Sequence, residues 1–148
     1  MYLDSAILVK LVVREPDSEF YVNLLDGQPS VHTSELAITE CRSALIRKRE
    51  IGDIDAQTCA RAWTRLQAYW ADSGGLLLLP VTRSVLRQAG DVIDRCSLSV
   101  PIRALDAIHI ASCWVSHDYP LVTNDRVMRR ATEHLGIPLS RLPSSGHE

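Results

Sequence analysis

Four acidic residues fall at the junctions between short apolar runs and longer periodic segments. Asp4 follows MYL, Glu40 lies within SELAITECRSAL, Asp106 within RALDAIHIASC, and Asp125 after LVTN. Glu40 is the most unusual of them. Leu36 and Ala44 are its neighbours four residues away and Ala37 is three before it, so helical spacing puts its carboxylate on an apolar stripe. Each acid also has an ordinary structural explanation. Asp4 and Asp106 each suit a helix N-cap, although His109 stands where a capping box would have Glu or Gln. Asp125 competes with Thr123 and Asn124 for a similar role, and a buried salt bridge to Arg42 or Arg103 would account for Glu40. Taken together the acids suggest more. Two like charges about 4 Å apart repel by roughly 4 kcal/mol at an effective dielectric of 20, so a cluster of carboxylates needs a cation. A hard divalent ion, Mg²⁺ or Mn²⁺, takes oxygen ligands, binds through one or two carboxylates and keeps water for chemistry.

Other catalytic templates are missing. The five histidines show no zinc-binding H-x-x-x-H or H-x-x-E-H spacing. There is no phosphate-binding G-x-x-x-x-G-K-[ST] loop, no G-x-G-x-x-G fingerprint and no G-x-S-x-G nucleophile elbow. The first strand ends D-S-A and lacks the second acid of a D-x-D phosphotransferase. Cys41, Cys59, Cys96 and Cys113 form no C-x-x-C pair and read as reduced, mostly buried thiols.

These acids need a scaffold that brings them together. The chain has 148 residues, enough for one domain, with hydrophobic residues at 46% and charged ones at 23%. Predicted strands at MYL, SVHTS, LLLLPV and PLVT alternate with helical patterns, and IPLSRLP is a candidate for a fifth. The helical segments are DSAILVKLVVRE, DSEFYVNLLDG, SELAITECRSALIRKREIG with Ser34 as its N-cap and Gly52 as its stop, DAQTCARAWTRLQAYWADSG, RSVLRQAGDVIDRCS, the nearly apolar ALDAIHIASCWVSHD, and RVMRRATEHLG. Alternating strands and helices predict an α/β fold: a single-domain three-layer sandwich with a mostly parallel sheet of four or five strands and helices on both faces. The domain is expected over residues 1–142, with a loose tail at 143–148. Such folds bind ligands at the carboxyl ends of their strands, which is where the acids lie.

YLDSAILVKL, TSELAITECRSAL, RALDAIHIASC and LVTNDRVMRRATEHLGI, in this order, resemble a PIN-domain protein, and more closely a VapC-type toxin of a bacterial or archaeal toxin–antitoxin pair. The resemblance runs from Met1 to about Ile137, and residues 53–100 contribute least to it. It implies a PIN-like fold and a ribonuclease in which a water activated by Mg²⁺ or Mn²⁺ hydrolyses an RNA phosphodiester. Asp4, Glu40, Asp106 and Asp125 match the family's acids, with Asp4 and Asp106 the first choices as metal ligands. Ser5 and Thr123 match its small hydroxyl residues, with helix capping as their ordinary alternative. The chain departs from the pattern at Cys113, where Ala is more usual.

RNA approaching an acidic pocket needs local positive charge, because the net charge is −2 and the pI about 6.2. Arg42, Arg47, Lys48 and Arg49 follow Glu40, and Arg126, Arg129 and Arg130 follow Asp125, so these are the candidate phosphate contacts, with a solvated helix face as the alternative. The resemblance also implies a homodimer and a cognate antitoxin that covers or enters the site. Trp63, Tyr69 and Trp70 belong either to the core or to a groove for that partner. Asp4 and Lys10 interrupt any secretory core, and GGLLLLPV is too short to span a membrane, so a cytoplasmic protein is expected. Two further readings compete with the ribonuclease. One is a non-catalytic PIN-like module in an operator-DNA-binding complex with its antitoxin. The other is a nuclease acting on DNA or flaps, for which the chain lacks the extra length that gripping duplex requires.

Overall fold

The structure is a computed structural model that describes residues 1–71 and 74–143. Tyr2–Leu3 (β1) leads into Ser5–Val12 (α1) and Ser18–Leu25 (α2). Val31–Ser34 (β2) is followed by Leu36–Glu50 (α3) and Ala56–Tyr69 (α4), and Leu76–Leu79 (β3) by Arg83–Cys96 (α5) and Ala104–Ser116 (α6). Leu121–Val122 (β4) and Arg126–His134 (α7) complete the described elements.

All four strands pair in parallel in the order β3-β2-β1-β4. The chain steps one way from β1 to β3 and then crosses to the other side of β1, so strand order reverses between β1 and β4. Period-two alternation divides the sheet between two cores. Leu3 and Val122 pack with α1 to α4 on one face, while Tyr2 and Leu121 pack with α5 to α7 on the other. The α/β three-layer arrangement is as expected. The sheet's four strands fall within the four or five expected; among the described residues, the candidate fifth makes only an isolated parallel bridge, Leu139 to Leu121. Pro138 precedes the bridge and has no N–H to extend a ladder. Residues 144–148 of the tail expected to be loose lie outside the described residues.

The helix starts follow their local chemistry, with two corrections. Asp55 and Thr82 cap α4 and α5 through their side chains. Ser34 is the last residue of β2 rather than the N-cap of α3; its hydroxyl instead accepts from Leu36 N at 3.2 Å. Asp106 does not cap α6, because that helix begins after Arg103 and Asp106 is its third residue. Gly52 follows α3 at φ +83°, a left-handed turn that ends the helix. α6 is buried along most of its length through Ala107, His109, Ile110, Ala111, Ser112 and Cys113, and these mostly small side chains let it lie close to the sheet. Trp63 and Trp70 meet edge to face at 5.7 Å and, like Tyr69, pack half-buried against the first core. Tyr69 also lines an apolar cavity of about 420 Å³ with Leu8, Leu11 and Val22. The four cysteines are free and buried, and no helix among the described residues is long and apolar enough to cross a membrane.

Candidate active site

Asp4, Glu40, Asp106 and Asp125 line one cavity of about 210 Å³, together with Ser5, Arg47, His109 and Met128. Two of the acids are fixed by the strands that reverse the order of the sheet. Asp4 follows β1, and its backbone N–H bonds Val122 O at 3.1 Å. It caps α1 through Oδ1, which accepts from Ile7 N at 2.9 Å, while Oδ2 accepts from the Thr123 hydroxyl. Asp125 caps α7, with Oδ1 accepting from the N–H groups of Val127 and Met128, each at 2.8 Å. The Thr123 hydroxyl also accepts from Asp125 N at 3.1 Å, so one side chain ties both acidic turns together. Asp4 and Asp125 therefore meet the ordinary capping description and line the cavity as well.

The other two acids come from helices. Asp106 sits in the first turn of α6, half-buried, with no hydrogen-bond or ion-pair partner among the described residues. Glu40, from α3, has a partner that the sequence reading missed. His109 Nε2 lies 2.6 Å from Glu40 Oε2, and the Ser5 hydroxyl donates to the same oxygen. Neither Arg42 nor Arg103 pairs with Glu40 as expected. Arg42 stacks over the Trp63 ring at 5.1 Å, and Arg103 precedes α6 exposed to solvent. His109 falls one turn after Asp106, which helical spacing places on the same face. The available signal was a polar residue in the buried stripe of an otherwise apolar helix.

Electrostatics separates the acids. Burial pushes the Asp4 carboxyl above its ordinary range, outweighing the hydrogen bonds from Thr123 and Ile7 N, and nearby Asp125 adds to the rise. Asp106 is also raised, by burial first and then by repulsion from Asp125 and Glu40. Burial acts against Glu40 too, but the hydrogen bond and charge of His109 and the Ser5 hydroxyl outweigh it, and its carboxyl is lowered. Cys41 lies beside the site, and burial, followed by the charges of Glu40 and Asp4, pushes its thiol to about 12. At neutral pH it is neither a nucleophile nor a soft metal ligand.

The candidate phosphate contacts divide unevenly. Arg47 lines the cavity, and Arg126 is exposed in the residue after Asp125. Three others are engaged in the structure itself. Arg42 is stacked on Trp63, Lys48 pairs with Glu15 at 3.0 Å and Asp53 at 3.7 Å, and Arg129 donates to the carbonyls of Thr123 and Ser140, each at 2.9 Å. Helical periodicity turns Arg42 and Lys48 away from the face that presents Glu40 and Arg47, which explains why proximity in sequence misled.

Among the described residues, no group of three or more His, Cys, Asp or Glu donors converges as a ready ligand set for a metal ion. The donors at the cavity are carboxylate oxygens, and the one imidazole is already committed to Glu40. That chemistry fits a hard ion held by one or two carboxylates with water completing its shell, and it does not fit a closed zinc site.

Known proteins resemble this chain in sequence and fold. The PIN domain family model covers residues 1–133. Ribonuclease VapC46 of Mycobacterium tuberculosis is 35% identical over 139 residues, covering 93% of each chain. Two solved structures share the fold. VapBC2 from Rickettsia felis, bound to a DNA fragment from its promoter, aligns with a TM-score of 0.67 at 14% identity over 94% of this chain and 96% of that one. FitAcB from Neisseria gonorrhoeae aligns with a TM-score of 0.68 at 17% identity over 95% and 96%. The chain belongs to the PIN domain family, and within it to the VapC-type proteins.

Proposed function

We propose that this protein is the toxin of a toxin–antitoxin pair and a ribonuclease that hydrolyses RNA phosphodiester bonds with Mg²⁺ or Mn²⁺. The observation that carries the reading is the meeting of Asp4, Glu40, Asp106 and Asp125 in one cavity, with Asp106 lacking any partner among the described residues. The similarity to a relative named as a ribonuclease supports it. Asp4 and Asp106, both raised by burial and then by neighbouring carboxylates, are the acids that would hold the ion directly or through water. A bound divalent ion supplies Lewis-acid neutralisation of the phosphate's developing charge and makes a water acidic enough to attack near neutral pH.

The chain's own residues supply the positioning. Thr123 holds Oδ2 of Asp4, and the α1 N-terminus holds Oδ1. Glu40 and Asp125 complete the acidic wall and orient water or a second ion. Arg47 at the cavity and Arg126 beside it would take the phosphates flanking the scissile bond. A cognate antitoxin, a homodimer and a cytoplasmic location belong to the same proposal. The fold shared with VapBC2, solved on a DNA fragment from its promoter, supports a partner for this chain.

Purified, partner-free protein should be offered RNA and DNA side by side with Mn²⁺. RNA cleavage is expected, and Asp4→Asn and Asp106→Asn should each lower kcat by roughly 10²–10⁴-fold while the fold remains intact by circular dichroism. Preferential cutting of DNA would replace the substrate assignment. No cleavage of either, with operator DNA bound by the antitoxin complex, would favour the non-catalytic module.

A further inference from the structure

His109 is a buried polar side chain that the mechanism above leaves unused. It sits on α6, and both ring nitrogens are engaged: Nδ1 lies 2.7 Å from the Tyr2 hydroxyl and Nε2 lies 2.6 Å from Glu40 Oε2. Tyr2 is itself fully buried on β1, and its hydroxyl accepts from Ser34 N at 3.1 Å. The path runs from the end of β2 through β1 and α6 to α3, joining the two helical layers at the carboxyl edge of the sheet.

The direction of these hydrogen bonds follows from the partners. Ser34 N–H can only donate to the phenol oxygen, and Nδ1 is that hydroxyl's partner on the α6 side. Nε2 faces a carboxylate oxygen, which can only accept, so Nε2 carries a proton there. Glu40 Oε2 thus receives a ring N–H and the Ser5 O–H, while Oε1 has no hydrogen-bond partner among the described residues.

We infer that Tyr2 and His109 are positioning residues that commit Glu40 Oε2 to a ring N–H and reserve Oε1 for the attacking water, so that Glu40 does not ligate the metal. The inference rests on the nuclease reading for the water but not for the geometry. It divides the four acids: Asp106, which has no partner among the described residues, can bind the ion, whereas Glu40 has one oxygen already taken by two donors. An ion drawing on Glu40 would have to break the pairing with His109 or settle for one oxygen.

The experiment has two arms. In metal-free protein labelled with ¹⁵N, the long-range proton–nitrogen spectrum of His109 should show Nε2 protonated. A ring protonated at Nδ1 alone would overturn the inference. In the second arm, Mn²⁺ affinity and RNA kinetics are measured for Tyr2→Phe, His109→Gln, His109→Leu and Asp106→Asn, with thermal melts to establish folding. Loss of the outer partner typically lowers activity by about 10–100-fold, and here the fall should appear in kcat with KM unchanged for His109→Leu and Tyr2→Phe. His109→Gln, which keeps an N–H donor of similar reach, should recover part of it. Mn²⁺ affinity should stay within about twofold of wild type for the His109 and Tyr2 variants and weaken at least tenfold for Asp106→Asn. A parallel loss of Mn²⁺ affinity in His109→Leu or Tyr2→Phe, or wild-type kcat in both, would overturn it. If the wild type cuts no RNA, the nuclease reading falls, and the ring's protonation and the Mn²⁺ affinities still decide how Glu40 is held.

Discussion

Glu40 takes hydrogen bonds from residues 35 and 69 positions away along the chain, and that is how a carboxylate survives on an apolar stripe. Asp106 has no such help, and the consequence can be measured. Its folded-state carboxyl is raised by burial, then by Asp125 and Glu40, so its charge is a cost to the folded state that grows as pH rises through the raised value. Asp106→Asn should therefore melt slightly higher than wild type at neutral pH without divalent ions, by about 2 °C or less given its partial exposure. Well below the ordinary aspartate value of 3.8, where the group is protonated folded or unfolded, the two melts should converge. Adding Mg²⁺ should raise the wild-type melt and leave the variant's nearly unchanged. A variant less stable than wild type in EDTA would mean that Asp106 has a stabilising partner after all. At this scale the acids themselves were legible, because charge at apolar spacing and at strand exits is a local pattern. The partner of Glu40 was not. Which side chain meets it depends on how α3 and α6 converge past the sheet, and periodicity along either helix does not encode that.

The helices that carry the acids are braced away from the cavity. Lys10 on α1 pairs with Glu15 and Asp17, each at 2.6 Å, and Glu15 pairs in turn with Lys48 on α3 at 3.0 Å. The brace ties the helix that begins at Asp4 to the helix that carries Glu40. Burial opposes ionisation of Glu15, but the hydrogen bonds and charges of Lys10 and Lys48 outweigh it and lower its carboxyl. A lowered folded-state value contributes stability that is present above the ordinary glutamate value of 4.5 and lost as pH falls through the folded value. Lys10→Met should cost about 1–3 kcal/mol at neutral pH, less than for a fully buried pair because Glu15 and Asp17 keep 23% and 25% of their side chains exposed. Denaturant melts across pH should show that cost shrinking as the medium drops well below pH 4.5, where wild type loses the pairing too. A cost independent of pH would assign the effect to packing of the lysine stem. Element boundaries were legible wherever side chains cap their own helix, as at Asp4, Asp55 and Thr82. The caps were misread where no side chain serves: α3 is preceded by Glu35 rather than Ser34, and Asp106 lies inside α6, although that helix starts at Ala104 as expected.

Across the whole molecule, topology turns four scattered acids into one site. Crossovers on one face build β1 to β3, the crossover on the other face returns to β4, and the cavity opens where strand order reverses. That arrangement was legible from the alternation of short apolar runs and helical patterns, since parallel crossovers leave few topologies. The candidate fifth strand at IPLSRLP reduces to one bridge at Leu139, too little pairing to make a strand beside β4. The phosphate contacts were legible only as a list of nearby cations. The fold used Lys48 for the α1–α3 brace, Arg129 to hold two carbonyls and Arg42 to cover Trp63, which leaves Arg47 lining the cavity and Arg126 exposed in the residue after Asp125. The central claim, that a divalent ion in this carboxylate cavity drives RNA hydrolysis, is tested most directly by one assay. RNA cleavage by purified, partner-free protein is followed in EDTA and again after Mg²⁺ or Mn²⁺ is restored in excess. Cleavage absent in EDTA and recovered with the ion is the predicted result; equal cleavage in EDTA would contradict the account.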